Sequence, residues 1–157
     1  MSDLRIEHAH HGDEALLRDW RHVHNAVIPA HHLTLDAVRD RAARNHLEVA
    51  YLGDVLVGCS TVRPEGCAEA DPLPPGVSAA TVIARVLPEH RRQGFGEALY
   101  ESGVAHARME FGATVIETVV LESNEPGLRF ALQHGFTELE RYELPGDGGR
   151  WVDLRLG

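Results

Sequence analysis

The sequence contains no lysine, and all 15 of its basic residues are arginines. This absence excludes Schiff-base chemistry on a lysine and the phosphate-binding lysine of a P-loop. Cysteine is almost as scarce, with Cys59 and Cys67 as the two thiols. Two thiols cannot build a disulfide framework, and by themselves they cannot form a zinc site. We expect Cys59, which lies in an alternating apolar run, to be a small core residue.

Long apolar runs are also missing, and basic charge is in deficit. The longest apolar stretches are about six residues, against the ~20 that span a bilayer. The N-terminus lacks a basic start followed by an apolar run, so we expect no signal peptide, no membrane partner and a cytoplasmic location. With 24 acidic residues the net charge is −9, which lacks the basic footprint of a nucleic-acid-binding protein.

The composition is that of one globular domain. The chain has 157 residues, of which 43% are hydrophobic and 25% are charged. Its eleven histidines include a cluster at His8, His10 and His11. No carboxylate or cysteine follows them at a recognisable ligand spacing, so we expect no metal site.

Hydrophobic periodicity and capping residues predict a mixed α/β chain. The predicted order is β-αα-βββ-α-β-α-ββ. Strands are predicted at 4–8, 47–52, 55–62, 78–88, 113–122, 136–144 and 150–156, the last two joined by a turn at 145–149, and helices at 13–28, 34–45, 95–111 and 124–134.

Two of these helices have a predicted apolar face. In the first helix the face comprises Leu16, Trp20, Val23 and Val27, with Leu17 and His24 at its edge. In the third helix it comprises Ala98, Leu99, Ser102, Ala105, His106 and Met109.

One turn, EHRRQGFG at 89–96, has the composition of an anion-binding device. Gly94 and Gly96 stand at a helix start, where glycine lets the backbone approach a ligand and free N–H groups carry a positive dipole. Arg91 and Arg92 add charge of the matching sign. The third glycine of the dinucleotide fingerprint is missing. On this segment alone, a tight basic turn without a ligand is the alternative.

The neighbouring segments make the pattern much more specific. Val86-Leu87-Pro88 precedes Arg91-Arg92-Gln93-Gly94-Phe95-Gly96, Asn124 follows the next strand, and Gly135-Phe136 follows the last helix. Over about 78–143 this combination resembles the acetyl-CoA-binding core of the GNAT (GCN5-related N-acetyltransferase) superfamily. Elsewhere the resemblance rests on the order of the elements. It implies a single domain over the whole chain, 1–157, whose mixed, mostly antiparallel sheet has a V-shaped splay between strands four and five.

The resemblance also assigns residues to acetyl-CoA, which would be the co-substrate, with no metal. Backbone N–H groups from Arg92 to Glu97 would hold the pyrophosphate. Strand residues would pair along the pantetheine arm like an added strand, and an N–H near Ala84 or Arg85 would polarise the thioester carbonyl. The expected coenzyme-binding residues are Ala84, Arg85, Val86, Arg91, Arg92, Gln93, Gly94, Phe95, Gly96, Glu97 and Asn124.

The sequence departs from the family where protons must move. Ala131 stands at the usual position of a tyrosine acid, and Ala80 and Val119 stand at the usual positions of a glutamate base. We expect Glu117 to be the base, because it shares a strand face with residue 119, and Glu122 is the second choice. Attack assisted only by positioning and water is the third option.

The first two helices and the last hairpin would border the acceptor site. The candidate residues there are His24, Asn25, His31 and His32. For proton transfer, Tyr142 could supply a phenol from the sixth strand, although a half-buried hairpin tyrosine is the favoured interpretation. The position of His24 beside an apolar helix face predicts a core histidine. His31 and His32 are predicted to be solvated and within reach of an acceptor.

Two functions follow from these features. The first is an N-acyltransferase that moves an acetyl or other short acyl group from acyl-CoA to a small-molecule or peptide amine, by direct attack in a ternary complex. The alternative is a non-catalytic acyl-CoA-binding sensor or degenerate domain, which the missing tyrosine and glutamate favour. The oligomeric state is left open, with a homodimer as one option.

Overall fold

The computed structural model describes residues 3–68, 72–144 and 149–156 as a seven-stranded sheet with helices on both faces. The order of elements agrees with the sequence prediction; most of the turn predicted at 145–149 lies outside the described residues. The elements are β1 (Leu4–His8), α1 (Glu14–Val27), α2 (Leu35–Arg44), β2 (His46–Leu52), β3 (Val55–Arg63), β4 (Ala79–Val86), α3 (Phe95–Glu110), β5 (Val115–Leu121), α4 (Glu125–Gln133), β6 (Phe136–Glu143) and β7 (Arg150–Leu156).

The sheet is mixed and mostly antiparallel, as predicted. Its strand order is β1-β2-β3-β4-β5-β7-β6, and the pair β4–β5 is parallel while the other neighbours are antiparallel. A parallel pair needs a crossover connection, which α3 supplies. The two halves of the sheet therefore meet at β4 and β5.

The predicted splay lies between these two parallel strands. Their pairing runs only from Ala79 opposite Val115 to Thr81 opposite Glu117. Beyond Thr81, β4 continues to Val86 while it stays paired with β3, and β5 continues paired with β7. One edge of each strand is thus open inside the sheet, which confirms the V shape.

Alternation along β4 assigns its side chains to two different layers. Arg85 is opposite Cys59, whose side chain packs with Trp20 in the layer under α1 and α2. Ala84 and Val86 point the other way and pack beside Phe95 and Leu99 of α3. A ligand running along β4 is therefore bordered by α1 on one face of the sheet and by α3 on the other.

Helix α1 begins at a side-chain cap and buries a stripe that differs from the predicted one. The Asp13 carboxylate accepts a hydrogen bond from the N–H of Leu16. Trp20 and Val23 are buried as predicted. Leu17 and His24, expected at the edge, take the buried places expected of Leu16 and Val27. His24 belongs to the stripe because its ring stacks on Trp20, with 5.3 Å between ring centroids.

Helix α3 buries a face of which the sequence prediction identified only Leu99. Its buried residues are Phe95, Leu99, Gly103 and Ala107, whereas Met109 is 80% exposed. The reason is a close approach to β4: a Cβ added at Gly103 would lie 2.7 Å from Val82 Cγ1. A face of small residues allows this packing, and hydrophobicity alone does not identify it. Among the described residues, no helix is both long and apolar enough to cross a bilayer.

Candidate functional site

The turn before α3 is shaped to receive an anion. Arg92 and Gly94 have positive φ angles of 63° and 84°, and α3 begins at Phe95. The first hydrogen bond of the helix runs from the N–H of Ala98 to the carbonyl of Gly94. The N–H groups of residues 95–97 therefore have no partner within the helix, and they carry the positive end of its dipole.

A groove of about 760 Å³ opens over this turn. Its positively charged side chains come from the turn and from α4: Arg91, Arg92 and Arg129. In the described part of the chain, none of the three has a carboxylate within 4 Å, and Arg91 Nε donates to the carbonyl of Val86 at 3.1 Å. Arg129 was missed by the sequence analysis, since the resemblance assigned only Asn124 at this end of α4.

A smaller cavity lies next to the groove, inside the splay. Ala84, Arg85 and Asn124 line both spaces, so the groove and the cavity adjoin, and we refer to the two together as the channel. The cavity is lined on its other sides by residues of β4, β5, α3 and α4, including Ile83, Val119, Leu121, Tyr100 and Ala131.

The open edge of β4 presents main-chain groups to this cavity. The N–H of Leu87 donates to the carbonyl of Val57 on β3 at 2.9 Å. Because hydrogen-bonding direction alternates along a strand, the N–H of Arg85 also points to β3 and those of Ala84 and Val86 point into the splay. Of the two N–H groups expected near the thioester, the geometry selects Ala84.

Asn124 joins the channel to the start of α4. Its Oδ1 accepts a hydrogen bond from the N–H of Gly127 at 3.3 Å, which makes it the N-cap of the helix. A Cβ added at Gly127 would lie 2.5 Å from Asn124 Nδ2, so the helix and the side chain are closely packed. The cap holds Asn124 in the wall of both spaces.

Glu117 is buried in a network of hydrogen bonds outside the channel. Its Oε2 accepts from Arg155 Nη2 at 2.6 Å and from Arg155 Nε at 2.8 Å. Its Oε1 accepts from the N–H of Cys67 at 2.8 Å and of Ala68 at 3.0 Å. These four donors anchor the loop after β3 and occupy the lone pairs that a base would use, so the environment favours a structural role over the predicted catalytic one.

Glu122 also lies outside the channel. Its Oε2 is 2.9 Å from Arg141 Nη1 and 3.8 Å from Arg150 Nη1, at a half-buried position after the end of β5. Neither glutamate lines the cavity. The catalytic roles expected of Glu117 and Glu122 stay predictions.

Residues 13–136 match the profile of the acetyltransferase (GNAT) family, which is most of the chain and includes both walls of the splay. The chain belongs to the GNAT acetyltransferase family. No match is found among curated proteins.

Solved structures share the GNAT fold along the whole chain. A protein proposed as a phosphinothricin N-acetyltransferase is 19% identical with a TM-score of 0.72, and the match covers 98% of each chain. The ribosomal-protein-S18-alanine N-acetyltransferase from Escherichia coli is 16% identical with a TM-score of 0.69, covering 98% of this chain and 92% of that one. The protein yncA from Salmonella typhimurium, proposed as an acetyltransferase and solved with its cofactor acetyl-CoA, is 20% identical with a TM-score of 0.65. That match covers 98% of this chain and 91% of the other.

In this GNAT domain most of the predicted acceptor residues form hydrogen bonds within the loop between α1 and α2. Asn25 Oδ1 accepts from the N–H of Leu33 at 2.8 Å, and its Nδ2 donates to the carbonyl of Leu33 at 3.0 Å. His24 is buried, and its Nε2 donates to the carbonyl of His31 at 2.8 Å. Burial, followed by the charge of Arg85, lowers the pKa of His24 to about 3.

His31 is less exposed than the sequence indicated. It is half-buried, and its ring is 5.7 Å from that of Trp151. His32 is exposed, as expected. The loop therefore closes the acceptor side of the GNAT sheet against β7, with an aromatic contact at its base.

A third acidic group, missed by the sequence analysis, lies beside the splay. Asp153 on β7 is opposite Val119 of β5, and burial raises the pKa of its carboxyl to about 6. The Tyr142 phenol donates a hydrogen bond to its Oδ1 at 2.8 Å, and burial and this contact raise the pKa of Tyr142. The signal in the sequence is an aspartate within the apolar run from Trp151 to Leu154.

The histidines of the N-terminal cluster also lie elsewhere than at the channel. His8 is 4.3 Å from His46 between ring centroids, and His46 stacks on His106 at 3.6 Å. His46 Nε2 lies 3.0 Å from Glu48 Oε2. Among the described residues, no group of three or more histidine, cysteine or acidic side chains is arranged to hold a metal ion.

Proposed function

We propose that this protein is an acetyl-CoA-dependent N-acetyltransferase that acts on an amine. The observation that carries the proposal is the channel from the N-terminus of α3 to the splay. In this proposal the pyrophosphate of the coenzyme lies on the N–H groups from Arg92 to Glu97. The pantetheine arm pairs with the open edge of β4 at Ala84 and Val86, beside Asn124, which leaves the thioester inside the splay.

The reaction proposed is direct transfer. The neutral amine nitrogen attacks the thioester carbonyl carbon, a C–N bond forms, and the C–S bond breaks. The N–H of Ala84 points into the splay and stabilises the oxyanion of the tetrahedral intermediate. The amine must lose a proton before or during attack, and the departing thiolate of coenzyme A must gain one.

For the acid we propose Tyr100 of α3. It lines the same cavity as Ala131, which stands where the family carries its tyrosine. Burial raises the pKa of Tyr100, so the phenol keeps its proton until a thiolate of similar basicity forms beside it. No hydrogen bond to another described residue holds this phenol, in contrast to the phenol of Tyr142.

For the base we propose Asp153 in place of Glu117. Directly opposed residues on antiparallel strands share one face, and Asp153 is opposite Val119, a residue of the cavity wall. Asp153 does not itself line the cavity, so the proposal requires a water between its carboxylate and the amine. With its pKa at about 6, the carboxylate is ionised at neutral pH and basic enough to receive a proton from an ammonium through a bridging water.

The function is tested by measuring release of free coenzyme A thiol from acetyl-CoA with a panel of amines. The proposal expects release that depends on the amine and gives an equal amount of N-acetylated product. Binding of acetyl-CoA without release, with every amine, would contradict the enzyme and support the non-catalytic acyl-CoA-binding domain. No binding of acetyl-CoA would contradict both.

A further inference from the structure

Arg85 carries a half-buried charge that nothing in the described chain neutralises. No carboxylate of a described residue lies within 4 Å of its guanidinium, and no hydrogen bond is formed by that group. Of the titratable groups that act on it, Arg63 and Arg41 are cationic. The third is the thiol of Cys59, whose pKa burial raises to about 12, so it is neutral at pH 7. Burial and these charges lower the pKa of Arg85 to about 10. Buried charges in native proteins are normally paired, so an unpaired arginine in a cavity wall indicates an anionic ligand.

The direction of the side chain shows which ligand can meet it. Arg85 is opposite Cys59 and belongs to the face of the sheet that α1 covers. The expected path of the pantetheine arm follows the main chain of β4, and the turn that receives the pyrophosphate is at the start of α3, on the other face. The guanidinium therefore lines the channel on the acceptor side of the thioester.

A second polar atom with which no described residue pairs lies in the layer that α1 forms on the same face of the sheet. His24 Nε2 donates to a carbonyl, so in the neutral ring Nδ1 is the nitrogen with a free lone pair. This Nδ1 is buried and has no hydrogen-bond partner among the described residues. His24 is close enough to Arg85 for the guanidinium charge to act on it. A cationic donor and a neutral acceptor thus lie on one face of the sheet, within range of each other's charge, and neither has a hydrogen-bond partner in the part of the chain that the structure describes.

We propose that Arg85 binds a carboxylate of the acceptor, so that the substrate is an amino acid or a similar amine that carries a carboxylate near its amino group. His24 Nδ1 accepts a hydrogen bond from the same acceptor. This inference rests on the proposed N-acetyltransferase function and specifies its substrate class. Arginine suits the task because its planar fork matches a carboxylate with two parallel hydrogen bonds.

The first experiment compares matched acceptors. Initial rates of coenzyme A release are measured with several L-amino acids and with their amides, which lack the negative charge. We expect kcat/KM to be at least tenfold higher for the acids, and Arg85→Gln to abolish this preference while the KM for acetyl-CoA changes less than twofold. Arg85→Lys should retain part of it. Equal rates with acids and amides would overturn the inference.

Arg85→Gln also shows whether the anion that Arg85 binds belongs to the acceptor or to the coenzyme. If Arg85→Gln weakens acetyl-CoA binding tenfold and leaves the acid preference intact, Arg85 serves the coenzyme phosphates and the inference is wrong. The variant should fold, because it removes an unpaired buried charge; we expect its midpoint of thermal unfolding to equal or exceed that of the wild type.

If no amine is acetylated, the carboxylate site can still be tested by a binding measurement that needs no turnover. Calorimetric titration of the protein with coenzyme A bound compares N-acetylated amino acids with the corresponding N-acetylated amino acid amides. Tighter binding of the acids by at least tenfold, lost in Arg85→Gln, supports the carboxylate site even if the transferase proposal fails. Equal binding of acids and amides contradicts the site, whatever the outcome of the rate measurements.

Discussion

Gly94 offers a direct test of the anion-binding turn, because its φ of 84° suits aspartate and asparagine almost equally. Gly94→Asp and Gly94→Asn share the conformational cost and differ in charge. No atom lies within 4 Å of a Cβ added there, so neither side chain clashes. We expect the aspartate to weaken acetyl-CoA binding at least tenfold relative to the asparagine, or ~1.4 kcal/mol, by calorimetry. Equal affinities of the two variants would contradict the phosphate cradle.

Tyr100 is tested by removing its hydroxyl. In Tyr100→Phe we expect kcat to fall by ~10–100-fold with acetyl-CoA affinity unchanged, because the thiolate then leaves without its acid. Tyr51→Phe is the control, since the Tyr51 phenol donates to Asp19 and is absent from the channel wall. A kcat for Tyr100→Phe within threefold of the control would eliminate Tyr100 as the acid.

Asp153 links the chemistry to pH. Burial raises the pKa of its carboxyl from 3.8 to about 6, so the folded state holds this proton more tightly than the unfolded state. The contribution of Asp153 to the free energy of unfolding therefore falls as pH rises from 4 to 6. Above pH 6 the carboxylate is ionised, and the full cost of its buried charge applies. Asp153→Asn should raise the free energy of unfolding by about 1–3 kcal/mol at pH 8 and by nothing at pH 4.

The same substitution should change the rate profile. In the wild type we expect kcat to decline below a pH of about 6, the pKa of Asp153, and in Asp153→Asn we expect a lower kcat without that limb. Glu122→Gln is the control, since Glu122 is paired with Arg141 outside the cavity. If the limb persists in Asp153→Asn, another group is the base.

At the level of elements, Glu117 connects β5 to β7 and to the loop after β3. Glu117→Gln should lower the free energy of unfolding by about 3 kcal/mol, because Arg155 loses the charge it faces and two N–H groups lose a strong acceptor. Denaturant unfolding measures this change. A stable variant with kcat reduced 100-fold or more would instead establish Glu117 as the base predicted from the sequence.

The elements themselves were predictable because their ends carry local signals. Asp13 caps α1, Thr34 caps α2, and Asn124 caps α4, each with a side-chain oxygen that accepts a main-chain N–H. The packed face of α3 was not predictable in the same way. Gly103 faces β4 because of the distance between helix and strand, which a hydrophobicity pattern does not contain.

The geometry of the candidate site was predictable only where the backbone defines it. The turn at 91–96 is recognisable because glycine and a helix start dictate its geometry. Side chains whose role depends on a partner far along the chain were missed or misjudged: Glu117 meets Arg155, and Asp153 meets Val119 across two strands. Strand alternation placed Glu117 on the same face as residue 119, but it could not show that both carboxylate oxygens already accept hydrogen bonds.

At the scale of the whole molecule, several titratable groups that are at least partly desolvated make the fold sensitive to acid. Burial lowers the pKa values of His8, His24 and His106, and hydrogen bonds from His46 and Ser102 outweigh burial to lower that of Glu48. For all four groups the unfolded state binds more protons, so the free energy of unfolding falls as pH falls. The three histidines become costly to hold in the fold once they must be protonated, and Glu48 loses the hydrogen bonds that it accepts as a carboxylate.

His24 dominates this effect, since its pKa is lowered from 6.5 to about 3. The pH dependence due to Asp153 opposes that due to His24, so the test is made in the Asp153→Asn variant. There the free energy of unfolding should fall steadily from pH 7 to pH 4. His24→Gln keeps an N–H donor for the carbonyl of His31 without titrating, and it should flatten this slope. An unchanged slope in urea unfolding would contradict the assignment.

The central claim is that the splay between β4 and β5 holds the thioester of acetyl-CoA, and electron density of a crystal grown with acetyl-CoA tests it most directly. We expect the pyrophosphate on the N–H groups from Arg92 to Glu97, the thioester oxygen about 3 Å from the N of Ala84, and the Arg85 guanidinium on the opposite side of the sheet from α3. Coenzyme bound outside this channel, or a pantetheine arm that does not pair with β4, would contradict the account.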